Sequence, residues 1–230
     1  MKTILVGFGD SWTFGSELDR PEEQSWVAQL ATKMSVDYIN LGTPASSTGH
    51  LIVQLFDFIQ RPEYTNYKKV FMIGLTGSSR YLSYSNEFNE FVNITPEATY
   101  RTSNIHKSGA PPDTAQNLSI FSSEMYKQVE CDKYNKFLLT QTMFTFQQYC
   151  LQNNIDYLFF RYFDTLAPLA IVDQTKLYPD TITYALTGAE YQLPDVRNNQ
   201  YFAGKLFHPN ISGHTQIAEL LYKHYVSSTN

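Results

Sequence analysis

Two residue types near opposite ends of the chain could do chemistry together. Ser11 closes the triplet Gly9-Asp10-Ser11, and His208 opens the run His208-Pro209-Asn210-Ile211-Ser212-Gly213-His214. A serine hydroxyl is a weak nucleophile until a base takes its proton, and neutral imidazole is the usual base near pH 7. Between them lie Gly42, which follows an apolar run, and the segment Gly74-Leu75-Thr76-Gly77. Backbone N–H groups in Gly-containing loops, aided by a hydroxyl, can stabilise an oxyanion. A nucleophile, a base and oxyanion donors together describe acyl transfer.

That chemistry needs elements that bring the four segments to one place. Thr3 to Gly9 is a short apolar run ending in glycines, the pattern of a buried parallel strand. Ser25 to Met34 has helical apolar spacing, with Glu22 and Glu23 near its start. Val36 to Leu41 is a second strand, stopped by Gly42-Thr43-Pro44. Ser47 to Ile59 predicts an amphipathic helix with Leu51, Ile52, Leu55, Phe56 and Ile59 on its apolar face. Lys69 to Leu75 is a third strand. Lys133 to Gln152 is a long helix, Asp156 to Phe163 a fourth strand, and residues 165 to 206 read as irregular. A closing helix is expected from about Thr215 to Val226.

The alternation of strands and helices predicts an α/β fold, with a parallel sheet covered on both faces. Ligands of such sheets sit at the carboxyl ends of the strands, where Ser11, Gly42, Thr76 and His208 fall. The chain reads as a single domain over residues 1–230. Residues of about 80–130 break the rhythm: polar, rich in Asn, Ser and Tyr, and carrying Pro96 and Pro111-Pro112. They read as an insertion of the kind that forms lids or binding loops. Its Tyr81, Tyr84 and Tyr100 could stack on sugar rings or simply pack.

Gly9-Asp10-Ser11, Gly42, the Gly74 segment and His208-Pro209-x-x-x-Gly213-His214 occur in the order seen in the SGNH (GDSL) hydrolase superfamily. The chain resembles that superfamily over nearly its whole length. The resemblance implies a three-layer α/β/α sandwich with a flavodoxin-like parallel sheet. It also implies a serine esterase, with Ser11 as nucleophile and His208 as base. Ser11 N–H, Gly42 N–H and Thr76 would form the oxyanion hole, and His214 would be structural. Two positions depart from the pattern. Thr76 stands where the family usually has Asn, and a hydroxyl has a shorter reach than an amide. Lys205 stands where the family usually has Asp, three residues before the histidine, and lysine cannot accept the histidine Nδ1–H bond. Asp195, Asp164, a backbone carbonyl or no group at all could take that place.

The expected function is hydrolysis of a carboxylic ester, O-acetyl groups on carbohydrate being the candidate substrate. The alternative is a catalytically degenerate binding module on the same fold. A flavodoxin-like cofactor binder ranks last, since neither GxGxxG nor a phosphate-binding GxxxxGK[ST] loop is present. No cofactor is expected, and without HExxH or a carboxylate cluster His208 and His214 do not read as a metal pair.

Composition agrees with this reading. The 230 residues carry 43% hydrophobic and 15% aromatic side chains, enough for one packed core. The net charge of −5, from 17 Lys+Arg against 22 Asp+Glu, offers no basic footprint for nucleic acid. No stretch of about 18 uncharged apolar residues predicts a transmembrane helix. Met1 to Val6 is too short for a signal peptide. Cys131 and Cys150 lie too far apart along one predicted helix to bridge and read as free thiols. A cytoplasmic, reducing compartment is therefore expected, with the Asn-x-Ser/Thr sequons at Asn93, Asn117 and Asn210 fortuitous. His50, His106 and His224 read as surface residues. Arg80 and Arg161, near strand ends, could meet an anionic group or be paired.

Overall fold

The computed structural model describes residues 1–77, 80–85, 90–94, 132–163, 166–189, 199–203 and 208–229. Cys131, Asp164, Asp195 and Lys205, with most of the expected insertion, lie outside them.

Five parallel strands form the central sheet. They are β1 (Thr3–Phe8), β2 (Asp37–Asn40), β3 (Lys68–Leu75), β6 (Asp156–Arg161) and β7 (Leu177–Thr181), in the order β2-β1-β3-β6-β7. Between β3 and β6 lie β4 (Tyr81–Ser85) and β5 (Glu90–Ile94), which pair antiparallel as a separate two-stranded sheet. The central strands are buried on both faces, so β1 and β3 read as continuous apolar runs.

Helices cover both faces. On one side lie α3 (Trp26–Met34) and α7 (Ile211–Thr229), which pack on each other and bury Trp26, Leu30, Ile217 and Leu221 against Leu5, Met72 and Phe160. On the other side lie α4 (His50–Ile59) and α5 (Asp132–Gln152), which bury Leu51, Leu55, Phe58, Met143 and Phe146 against Phe8, Phe71 and Phe159. Phe8 sits at the centre of this second layer, edge-to-face with Phe58, Phe71 and Phe146. The three-layer α/β/α sandwich expected from the sequence is the observed architecture. Its strand order reverses between β1 and β3, and such a switch point opens a crevice at the strands' carboxyl ends.

Three expectations about elements change. On α4 the buried face is Leu51, Gln54, Leu55 and Phe58, whereas Phe56 and Ile59 are exposed. Gln54 takes a core position because its amide is engaged by the Gly9 backbone and by the Thr43 and Ser46 hydroxyls. The segment 165–206 is not wholly irregular. It contains β7 and the short helix α6 (Ile182–Thr187). Pro179 hid β7, but an edge strand tolerates a residue without an N–H, and here the Pro179 carbonyl accepts from Arg161 Nη2. The last helix begins at Ile211 rather than Thr215, because Asn210 closes its first turn by accepting from Gly213 N–H.

Within the expected insertion, β4 and β5 are tied to the sandwich. Asn93 Oδ1 accepts from both N–H and Oγ of Ser47, and Asn93 Nδ2 lies 3.1 Å from His50 Nδ1. Tyr81 is buried and donates to Asn135 Oδ1, so its ring is packing material and not a free platform. His50 is half-buried rather than on the surface, and burial lowers its pKa. Cys150 is a buried free thiol, and burial pushes its pKa up to about 12. Among the described residues no helix is long and apolar enough to cross a membrane.

Candidate active site

The turn after β1 is built around Gly9. A Cβ there would lie 2.0 Å from Thr13 Oγ1, so only glycine lets the chain turn this tightly into the next element. Gln54, reaching up from α4, bonds both backbone polar groups of Gly9. Gly9 N–H donates to Oε1 at 3.1 Å, and Nε2 donates to the Gly9 carbonyl at 2.8 Å.

Ser11 is the first residue of a single helical turn, α1 (Ser11–Phe14). Asp10 caps it by accepting from Trp12 N–H at 3.0 Å. The carboxylate of Asp10 is fully buried, and Arg80 Nη1 meets it at 2.7 Å while also donating to the Ser46 carbonyl. Asp10 therefore shapes the turn, and Arg80 is a paired residue. Beneath α1 runs a chain of buried hydrogen bonds. Trp26 Nε1 donates to Tyr162 Oη at 3.1 Å, Tyr162 Oη bonds Thr13 Oγ1, and Thr13 Oγ1 donates to the Phe8 carbonyl. The short helix is thus held from below at its third residue.

Gly42, after β2, lies against α1. A Cβ at Gly42 would come within 2.3 Å of Phe14 N, so its glycine identity follows from this close approach. Its N–H donates to Asn40 Oδ1 at 3.0 Å, while Asn40 Nδ2 donates to the Thr13 carbonyl at 2.8 Å. Three residues on, Ala45 adopts the left-handed conformation, with φ of 63°. Thr76 follows β3 and is buried, its Oγ1 3.2 Å from Thr48 Oγ1.

His208 sits in a two-residue strand, β9 (His208–Pro209), paired antiparallel with β8 (Phe202–Ala203). α1 packs against β9, which brings the His208 segment to the same rim as Ser11. Among the described residues Ser11 Oγ and His208 make no direct hydrogen bond. The His208 ring instead meets a residue that sequence reasoning did not single out. Glu17 Oε2 lies 3.0 Å from His208 Nδ1. The two residues are 191 positions apart, and the one local sign of Glu17 is its place just beyond the glycine that ends α1. Asp164 and Asp195, the carboxylates suggested by sequence, fall outside the described residues.

His214, at the end of the same sequence block, is fully buried, and its Nδ1 accepts from Trp26 N–H at 3.0 Å. Burial, with the neighbouring His208, lowers its pKa to about 3. It is a neutral core histidine joining α7 to α3. Among the described residues no three His, Cys, Asp or Glu side chains gather as a metal site.

No family model matches the sequence, and no curated protein matches it. Solved structures do. A carbohydrate esterase, whose active site is described as displaying divergent catalytic and non-catalytic binding functions, matches with a TM-score of 0.55 at 12% identity. The match covers 98% of this chain and 65% of that one. A carbohydrate esterase family 2 enzyme with a carbohydrate-binding domain, from Corynascus thermopiles (Myceliophthora fergusii), matches with a TM-score of 0.53 at 14% identity, over 100% and 67% of the two chains. A member of the lipolytic protein G-D-S-L family from Veillonella parvula DSM 2008 matches with a TM-score of 0.38 at 14% identity, over 98% and 97%. This chain spans about two thirds of the length of the two carbohydrate esterases. The likeness to the two carbohydrate esterases establishes the fold, an α/β/α sandwich.

Proposed function

We propose that the chain is a serine ester hydrolase in which Ser11 is the nucleophile and His208 the base. The observation that carries the reading is the packing of α1, which begins with Ser11, against the strand that begins with His208, at the switch point of the sheet.

In the proposed reaction, Ser11 Oγ attacks the ester carbonyl carbon as its proton passes to His208 Nε2. The carbonyl oxygen becomes an oxyanion. Ser11 N–H belongs to a first helical turn and lacks a partner within the helix, so it is free to donate. With Thr48 as donor in the Thr48–Thr76 hydrogen bond, the Thr76 O–H adds a second contact. Gly42 N–H contributes once it swings off Asn40. Collapse expels the alcohol, which takes the proton from His208 and leaves an acyl-Ser11. Water, deprotonated by His208, then releases the acid and restores the serine. A small acyl group such as acetyl, carried on a carbohydrate, is the proposed substrate. The fold shared with carbohydrate esterases supports it.

A second reading has its own support. Gly42 N–H and Thr76 Oγ1 both have partners within the protein, as they would in a site that binds without catalysis.

Turnover of p-nitrophenyl acetate and acetylated xylan by the wild type and Ser11→Ala tests the proposal. The expected loss on removing Ser11 is on the order of 10³-fold or more. Equal turnover by the two proteins would contradict it.

A further inference from the structure

Histidine as a base must present a lone pair at one nitrogen, so the other must carry the proton and be held. Lys205 stands where the SGNH pattern has the holding carboxylate. We infer that Glu17, from the loop behind the nucleophile, holds His208 instead. The inference rests on the esterase reading and names a positioning residue for that site.

Three observations carry it. An ionised carboxylate only accepts hydrogen bonds, so the 3.0 Å contact requires Nδ1 to be the protonated nitrogen. That leaves Nε2 as the basic one, the tautomer a serine nucleophile needs. Second, the same oxygen, Glu17 Oε2, also takes the backbone N–H of His208 at 3.4 Å, so one group fixes both the strand and the ring it carries. Third, the chain accepts strain to place Glu17. After Ser11–Phe14 the backbone turns left-handed at Gly15 (φ 88°) and again at Glu17 (φ 69°). Glutamate rarely adopts that conformation, and such outliers gather where a side chain must be aimed. Ser16 N–H closes back on the Ser11 carbonyl and Leu18 N–H on the Gly15 carbonyl, so the loop that aims Glu17 is hung on the nucleophile's own turn. Nδ1–H donates its one hydrogen bond to Glu17. Nucleophile and orienting acid therefore lie six residues apart on one loop, and the histidine alone comes from the far end of the chain.

The test uses Glu17→Gly and Glu17→Ala. Glycine suits the left-handed backbone, so Glu17→Gly is expected to fold as well as the wild type. Nitrogen-15 histidine NMR reads the His208 tautomer, and labelling by a fluorophosphonate probe reads serine reactivity. The wild type should show the Nδ1–H tautomer. Both variants should lose it, with labelling slowed on the order of 10²- to 10⁴-fold, and KM for p-nitrophenyl acetate little changed. An unchanged tautomer and labelling rate in folded Glu17→Gly would overturn the inference. If the wild type is not labelled, yet its Nδ1–H tautomer is present and vanishes in Glu17→Gly, Glu17 still positions His208 and the esterase reading alone fails.

Discussion

Gln54 and Gly9 form a closed pair: one side-chain amide bonds both the N–H and the carbonyl of one buried glycine, two residues before Ser11. The Gly9 carbonyl also accepts from Thr43 N–H at 3.0 Å, whereas the Gly9 N–H is taken by the Gln54 side chain. Replacing Gln54 by leucine keeps the volume and strands the Gly9 N–H, while the Gly9 carbonyl keeps the bond from Thr43 N–H. The expected cost is about 2 kcal/mol, or a drop in Tm of roughly 4–8 °C. Ser11 reactivity should fall with it even at temperatures where the variant is folded. Thermal unfolding followed by circular dichroism, beside fluorophosphonate labelling, checks both effects.

Arg80 and Asp10 make the second support of the turn. Asp10 has no exposed side-chain surface, and Arg80 is only 18% exposed. Removing one partner leaves an uncompensated buried charge. Arg80→Met is expected to cost about 3 kcal/mol in urea unfolding. Adding Asp10→Asn should recover much of that loss, because the amide oxygen still accepts from Trp12 N–H while the charge is gone. A double variant no more stable than Arg80→Met would contradict the assignment.

The buried His214 makes stability depend on pH in one direction. Its pKa falls from an ordinary 6.5 to about 3 in the folded protein. Below pH 6.5 the unfolded chain takes up a proton there that the folded chain refuses. Stability should therefore fall as pH drops from about 6 towards 3, by up to about 1.4 kcal/mol per pH unit from this residue. His214→Asn can still accept from Trp26 N–H through its amide oxygen but cannot titrate. Denaturant unfolding between pH 4 and 7 should give the variant a shallower slope than the wild type. Parallel slopes would show that His214 is not the group responsible.

What the sequence revealed and concealed follows from how local each signal is. β1, β3 and β6 are legible because strands buried on both faces need unbroken apolar runs, as in Ile4–Phe8 and Val70–Leu75. Ser11 is legible as a candidate because its block follows β1, and His208 because its block precedes the last helix. β7 is concealed because Pro179 breaks its pattern, which matters only away from an edge. On α4, Gln54 is polar by type and core by position, since its partner Gly9 lies 45 residues earlier. Glu17 has no local pattern beyond its place after Gly15. Its significance depends on the fold bringing His208 back across 191 residues. Gly42 is legible as a necessary glycine, but for a reason the sequence does not show: the backbone of α1 touches it, and its N–H is engaged by Asn40.

The most direct measurement is covalent labelling with a fluorophosphonate probe, followed by peptide mass spectrometry, on the wild type, Ser11→Ala and His208→Ala. In the wild type a single residue, Ser11, is expected to be phosphonylated. No labelling is expected in Ser11→Ala, and labelling slowed on the order of 10³-fold or more in His208→Ala. A folded wild type that resists the probe, or a Ser11 that reacts at the same rate without His208, would overturn the proposed Ser11–His208 chemistry.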